Sequence, residues 1–183
     1  MDGAIKDHLA RIHSTDRAEQ GAAYRALLDA TGEPVDWAYE AWDGLLKDLR
    51  SKDNHLRSIA SQVLCNLAKS DPKGRMLEDF DAVLAVTRDE RFVTARHCLL
   101  SLWKVGTAGP WQKAMVVERL AGRFADCAAE KNATLIRYDI IQGLRNLYDV
   151  EKDEAIRQKA LELIETEEDP KYRKKYASVW RAK

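Results

Sequence analysis

Three prolines, Pro34, Pro72 and Pro110, stand 38 residues apart each time. Each comes just before an amphipathic segment. Proline is tolerated there because the first N–H groups of a helix have no intrahelical acceptor. A fixed period in this range marks a chain built by stacking one supersecondary unit, and it narrows the architecture more than any other feature of the sequence. Five arginines keep a similar beat. Arg17, Arg57, Arg96, Arg137 and Arg173 are separated by 40, 39, 41 and 36 residues.

The residues after each arginine repeat as well. Three positions on stand Gln20, Ala60, Leu99, Ile140 and Tyr176. Six on stand Ala23, Val63, Leu102, Gly143 and Val179, and seven on stand Tyr24, Leu64, Trp103, Leu144 and Trp180. Offsets of three, six and seven fall on one stripe of an α-helix, so each segment is expected to bury one face against its neighbours. Strand-type alternation is absent. The fold expected is all-α, a right-handed α-α superhelix of about five two-helix repeats, ten helices in one domain over residues 1–183. First helices are expected near 4–13, 35–50, 73–88, 110–129 and 151–166. Second helices are expected near 16–30, 53–70, 90–106, 131–149 and 169–182. Asp53 and Asn132 read as N-caps, and Asp169 before Pro170 reads the same way. Gly32 and Gly106 read as C-caps.

At this level the chain resembles the HEAT-repeat family. The residues that carry the resemblance are Leu56-Arg57-Ser58-Ile59-Ala60 with Val63-Leu64, Ala95-Arg96 with Leu102-Trp103-Lys104-Val105-Gly106, and Ile136-Arg137 with Leu144. The resemblance implies a stack whose second helices line a concave face. It departs from the family in two respects. No proline lies inside the first helices. The family's acid six residues before the arginine is Ser51 before Arg57 and Lys131 before Arg137, although Glu90 and Glu167 keep it elsewhere. The Asp–Arg ladder that braces such repeats is therefore expected to be partial.

Composition excludes some functions and leaves others open. Lys+Arg and Asp+Glu both number 30, so no overall positive charge advertises nucleic acid. The charges are nevertheless segregated over the second to fifth pairs: taken together, the second helices carry more basic than acidic residues, the first helices the reverse, and much of the excess sits in the last helix at Lys171, Arg173, Lys174, Lys175, Arg181 and Lys183. The three cysteines, Cys65, Cys98 and Cys127, have no CxxC spacing and read as small buried residues. The four histidines show no HExxH, and no GxGxxG, GxxxxGK[ST] or GxSxG occurs. Neither a metal, a cofactor nor a catalytic residue is expected. No apolar run suits a membrane span or signal core, and a cytoplasmic location is the expectation.

The surface expected to work is the concave face. Arg57, Arg96 and Arg137, with the row one position further on (Ser58, His97, Tyr138 and Lys174), are its candidate partner-binding residues. For the arginines the reading that comes first is a brace between neighbouring repeats, with ligand binding second. Trp103 and Trp180 occupy a position that is leucine in the sister units and so read as core. Trp37 and Trp42, five apart, do not share a narrow stripe, so one of them is expected to be partly exposed. Asp139 is an acid in an otherwise apolar helix and reads most simply as a paired structural carboxylate.

The leading expectation is a non-enzymatic module that binds a protein or peptide segment. The alternative is a nucleic-acid binder, in one form similar to the HEAT-like alkylpurine DNA glycosylases, for which Arg96, Trp103, Arg137, Tyr138 and Asp139 would be the residues of interest. A third reading, a HEAT-like chromophore lyase or cofactor-assembly factor, has only the repeat behind it.

Overall fold

A computed structural model describes residues 1–181; Ala182 and Lys183 lie outside the described residues. The described chain is all-helical, with ten α-helices in five successive pairs: α1 (Gly3–Arg11) and α2 (Arg17–Ala30), α3 (Ala38–Asp48) and α4 (Asn54–Leu67), α5 (Arg75–Ala85) and α6 (Phe92–Leu99), α7 (Pro110–Asp126) and α8 (Ala133–Glu151), α9 (Glu154–Glu165) and α10 (Pro170–Ser178). The chain forms two compact units. One covers Met1–Ser101 and the second begins at Leu102.

In the first unit the second helices pack in series, α2 on α4 and α4 on α6, while α3 packs on α5. The same two layers recur in the second unit, with α8 on α10 and α7 on α9. The stripe three residues after each arginine is buried throughout, at Gln20, Ala60, Leu99, Ile140 and Tyr176. Seven residues after it, Leu64 and Leu144 are buried, whereas Tyr24, Trp103 and Trp180 are half-buried. That position therefore lies at the edge of the core, where leucine fits wholly and an aromatic ring projects part-way out.

Local chemistry sets the helix ends. Asp16, Asp53, Asp153 and Asp169 accept backbone N–H groups of the first turns of α2, α4, α9 and α10, which would otherwise lack partners. Asn132 stands at the N-cap of α8, but its side chain makes no capping bond. The segment before α5 reaches its helix through Gly74 at φ +71°, and the Asp71 carboxylate accepts from the N–H groups of Arg75 and Met76 at 3.0 and 2.8 Å.

Gly32 and Gly106 are not left-handed caps; the positive φ values belong to Gly74 and Lys152. Gly106 serves packing instead. A Cβ there would stand 2.8 and 2.9 Å from the Leu147 methyls. The continuous helix expected over 90–106 is also broken. It stops at Leu99, and a 3₁₀ segment follows at Leu102–Thr107. At the break the Ser101 N–H turns to the Cys98 carbonyl at 2.9 Å and the Ser101 hydroxyl donates to the His97 carbonyl at 2.9 Å. The side chain thus occupies a carbonyl that the helix would have used further on.

Candidate functional site

The registered arginines act as bridges within each unit. Arg17 Nη1 donates to Asp53 Oδ2 at 2.7 Å, and Gln20 Nε2 donates to the same oxygen at 3.1 Å. Burial alone would raise the Asp53 pKa. The bonds from Arg17, Gln20 and the His55 N–H outweigh it and hold the carboxyl down at about 2. Arg57 grips Asp89 with two bonds, Nε to Oδ2 at 2.5 Å and Nη2 to Oδ1 at 2.8 Å, and its Nη1 donates to the Ser51 carbonyl at 2.8 Å. Arg137 Nη1 donates to Glu167 Oε2 at 2.8 Å and Nε to the Phe124 carbonyl at 3.2 Å, with the guanidinium 4.8 Å from the Phe124 ring centroid. Arg173 Nε donates to the Glu167 carbonyl at 2.8 Å.

The ladder is thus better formed than the family spacing implied. Its acids stand at or just before the start of the following second helix, but not at a fixed offset: Asp53, Asp89 and Glu167 lie four, seven and six residues before Arg57, Arg96 and Arg173. A search at one fixed offset finds Ser51 and Lys131 and misses Asp53 and Asp89. Arg96 is half-buried and is engaged as well.

Beside the ladder, two residues of the candidate row, Ser58 and His97, join a chain of neutral hydrogen bonds. Tyr24 Oη donates to Gln62 Oε1 at 2.8 Å, Gln62 Nε2 donates to Ser58 Oγ at 3.1 Å, and Ser58 Oγ lies 3.0 Å from His97 Nδ1. The row crosses α2, α4 and α6. Ser58 Oγ accepts from Gln62, and in the tautomer with the imidazole N–H at Nε2 its own proton points to His97 Nδ1. Partial desolvation of the ring, followed by the charges of Arg96 and His55, lowers the His97 pKa and favours the neutral ring. Ser58 is buried and His97 exposed.

In the sequence Tyr24 reads only as a member of the buried stripe, and Gln62 is not singled out. The available signal was a tyrosine on a stripe where two sister units carry leucine. Tyr138 and Lys174 belong to the second unit, on α8 and α10. Tyr138 is half-buried with Lys175 Nζ 5.0 Å from its ring centroid, and Lys174 is exposed.

The tryptophans depart from expectation. Trp37 and Trp42 are both buried; Trp42 donates from Nε1 to Asp79 at 2.9 Å, and the Arg75 guanidinium lies 5.6 Å from its ring. The exposed indole is Trp111, at 77%. It follows Pro110 at the start of α7, where the first turn has only one side to bury. Trp103 and Trp180 are half-buried rather than fully enclosed. Asp139 is 1% exposed and engaged, and all three cysteines are buried and form no disulfide.

Two grooves are lined mainly by residues of first helices and loops. An open groove of about 890 Å³ in the first unit is lined by His13, Lys47, Asp48, Arg50, Ser51 and Asp79 among others. There His13 Nε2 meets Asp48 Oδ2 at 3.2 Å, and burial holds the Asp48 carboxyl above its ordinary pKa, with His13 working against the shift. A more apolar groove of about 440 Å³ runs between α7 and α9, lined by Pro110, Ala114, Val117, Ala121 and Ile156 with Lys113, Glu118, Asp153 and Lys159. Among the described residues no group of three or more His, Cys, Asp or Glu side chains could hold a metal ion, and no helix is long and apolar enough to cross a membrane.

No protein-family model and no curated protein matches the chain. Among solved structures, it is similar to the crystal structure of an engineered protein from the Northeast Structural Genomics Consortium. That likeness is 18% identical in sequence, covers 98% of this chain and 95% of the other, and has a TM-score of 0.44. It is too loose to carry an argument about fold or function.

Proposed function

We propose that this chain is a HEAT-like helical-repeat module that binds an extended protein segment across the second-helix face of its first unit. The observation that carries this reading is the hydrogen-bonded row Tyr24–Gln62–Ser58–His97. It spans three neighbouring helices, whose axes in such packing lie roughly 8–10 Å apart. An extended peptide laid across them presents a donor and an acceptor at every residue. Tyr24 Oη and Gln62 Oε1 keep acceptor lone pairs beyond the bonds they make within the row, and these meet peptide N–H groups without demanding a charged ligand.

The arginines nearby favour a peptide over a polynucleotide in this unit. Arg17 and Arg57 are already bonded to Asp53 and Asp89, so their charge is largely spent before a phosphate arrives. The glycosylase-like reading has no observation in its favour, since the carboxylate it would need, Asp139, is 1% exposed.

The test is a selection of random peptides displayed on phage against the intact chain. Selected peptides are expected to bind the Gln62→Ala/His97→Ala double variant at least tenfold more weakly than the parent. Peptides that keep their affinity for the double variant, or a selection that enriches nothing, would contradict the reading.

A further inference from the structure

The face formed by α8 and α10 in the second unit is chemically unlike the neutral row of the first. Helix α10 runs Pro-Lys-Tyr-Arg-Lys-Lys-Tyr-Ala-Ser, with no acidic residue inside it. Lys171, Lys174, Lys175 and Ser178 are its exposed residues after Pro170. They fall at i, i+3, i+4 and i+7, which places three ammonium groups on one stripe. No ion pair to a described residue holds any of the three lysines. The helix is firmly seated: Tyr176 is fully buried and its hydroxyl donates to the Thr134 carbonyl of α8 at 2.9 Å. The stripe is therefore presented by a fixed element and not by a frayed end.

Aromatic rings accompany the lysines. Lys175 Nζ lies 5.0 Å from the centroid of Tyr138, which is half-buried on α8, and Lys171 Nζ lies 5.5 Å from that of Tyr172, also half-buried. A cationic stripe that tracks a backbone, beside half-exposed rings on which bases can stack, is the chemistry of single-strand recognition. Two other anionic partners fit less well. An amphipathic helix that lies on a membrane needs an exposed apolar edge, and none of the large exposed apolar side chains, Leu77, Val93, Trp111 and Val150, is on α10. An acidic peptide would use the lysines but leave the rings unemployed.

We propose that the α8–α10 face binds a single-stranded polynucleotide, with successive phosphates on Lys171, Lys174 and Lys175 and a base stacked at Tyr138. This does not rest on the peptide reading of the first unit, which involves different residues.

The experiment is fluorescence anisotropy of labelled U20 and dT20 titrated with the intact protein across a range of salt. Both strands report the shared phosphate-and-base chemistry, and a preference between them tells RNA from DNA. Binding is expected to fall with salt at a log–log slope of about −2, from three phosphates at roughly 0.7 each. Lys174→Glu, at an exposed position, is expected to weaken binding at least tenfold with helicity unchanged. Tyr138→Ala is expected to weaken it about tenfold while leaving the salt slope as it was. Failure to bind either strand at low salt would overturn the proposal. So would competition by polyglutamate equal to that by unlabelled U20, capture by phosphatidylserine vesicles in preference to U20, or a Lys174→Glu protein that binds like the parent.

Discussion

Replacing Arg57 by alanine leaves the Asp89 carboxylate, 4% exposed, without the two bonds that now hold it. Breaking a fully buried pair costs roughly 3–5 kcal/mol, and because Arg57 keeps some water the expected loss here is about 2 kcal/mol in urea unfolding. The Arg157–Glu154 pair gives the contrast, since it lies on the surface within one helix. Arg157→Ala is expected to shift the urea midpoint by nothing measurable. Acid dependence follows from the same carboxylates. Asp53 is held at about 2 and Asp89 is also lowered, so both bind protons less readily in the folded state than in the unfolded chain. Their stabilisation is complete above the unfolded value near ~4 and is lost as pH falls through the folded one. Stability should therefore decline between about pH 4 and pH 2, and Asp53→Asn should flatten part of that decline. A parent and variant with the same acid profile would show that the ladder contributes nothing.

At the scale of the element, the backbone departs from easy geometry at Lys152. It closes α8 in the left-handed region at φ 53°, with its N–H donating to the Tyr148 carbonyl at 2.8 Å. A side chain is disfavoured there and glycine is not, so Lys152→Gly is expected to raise stability by about 0.5–1 kcal/mol, read as a higher urea midpoint. The helices themselves were legible in the sequence because a 36–41-residue period and a stripe at offsets three, six and seven report burial directly. Their ends were less so. Asp53 and Asp169 cap as their position suggested, but Asn132 does not. Gly106 is a contact for Leu147 and not a turn, and the Ser101 hydroxyl helps end a helix that periodicity would have carried on. These outcomes depend on single hydrogen bonds and single close contacts, to which an apolar pattern is blind.

For the whole molecule, the first unit holds three helix pairs and the second two, preceded by a 3₁₀ segment. Stacked repeats gain their stability from neighbours, and about three are needed to make a lasting core. A fragment of residues 1–101 is thus expected to unfold cooperatively by circular dichroism, whereas one of residues 102–183 is expected to be markedly less stable at the same concentration. Equal stability would mean that pair number does not govern these units. The candidate surface was half visible beforehand. The row that follows the arginines picked out Ser58 and His97, which do come together. The bracing read for the repeated arginines is what Arg57 and Arg137 do, on Asp89 and Glu167. The row missed Tyr24 and Gln62, whose link depends on side-chain directions across two helices.

The central claim is that the Tyr24–Gln62–Ser58–His97 row is where a protein segment lies. Amide chemical-shift mapping of the intact chain with a selected peptide tests it most directly. The expected result is that the largest changes fall on Tyr24, Ser58, Gln62 and His97 and their helical neighbours. Changes centred on Trp111 and the α7–α9 groove, or on the groove beside His13 and Asp48, would contradict it.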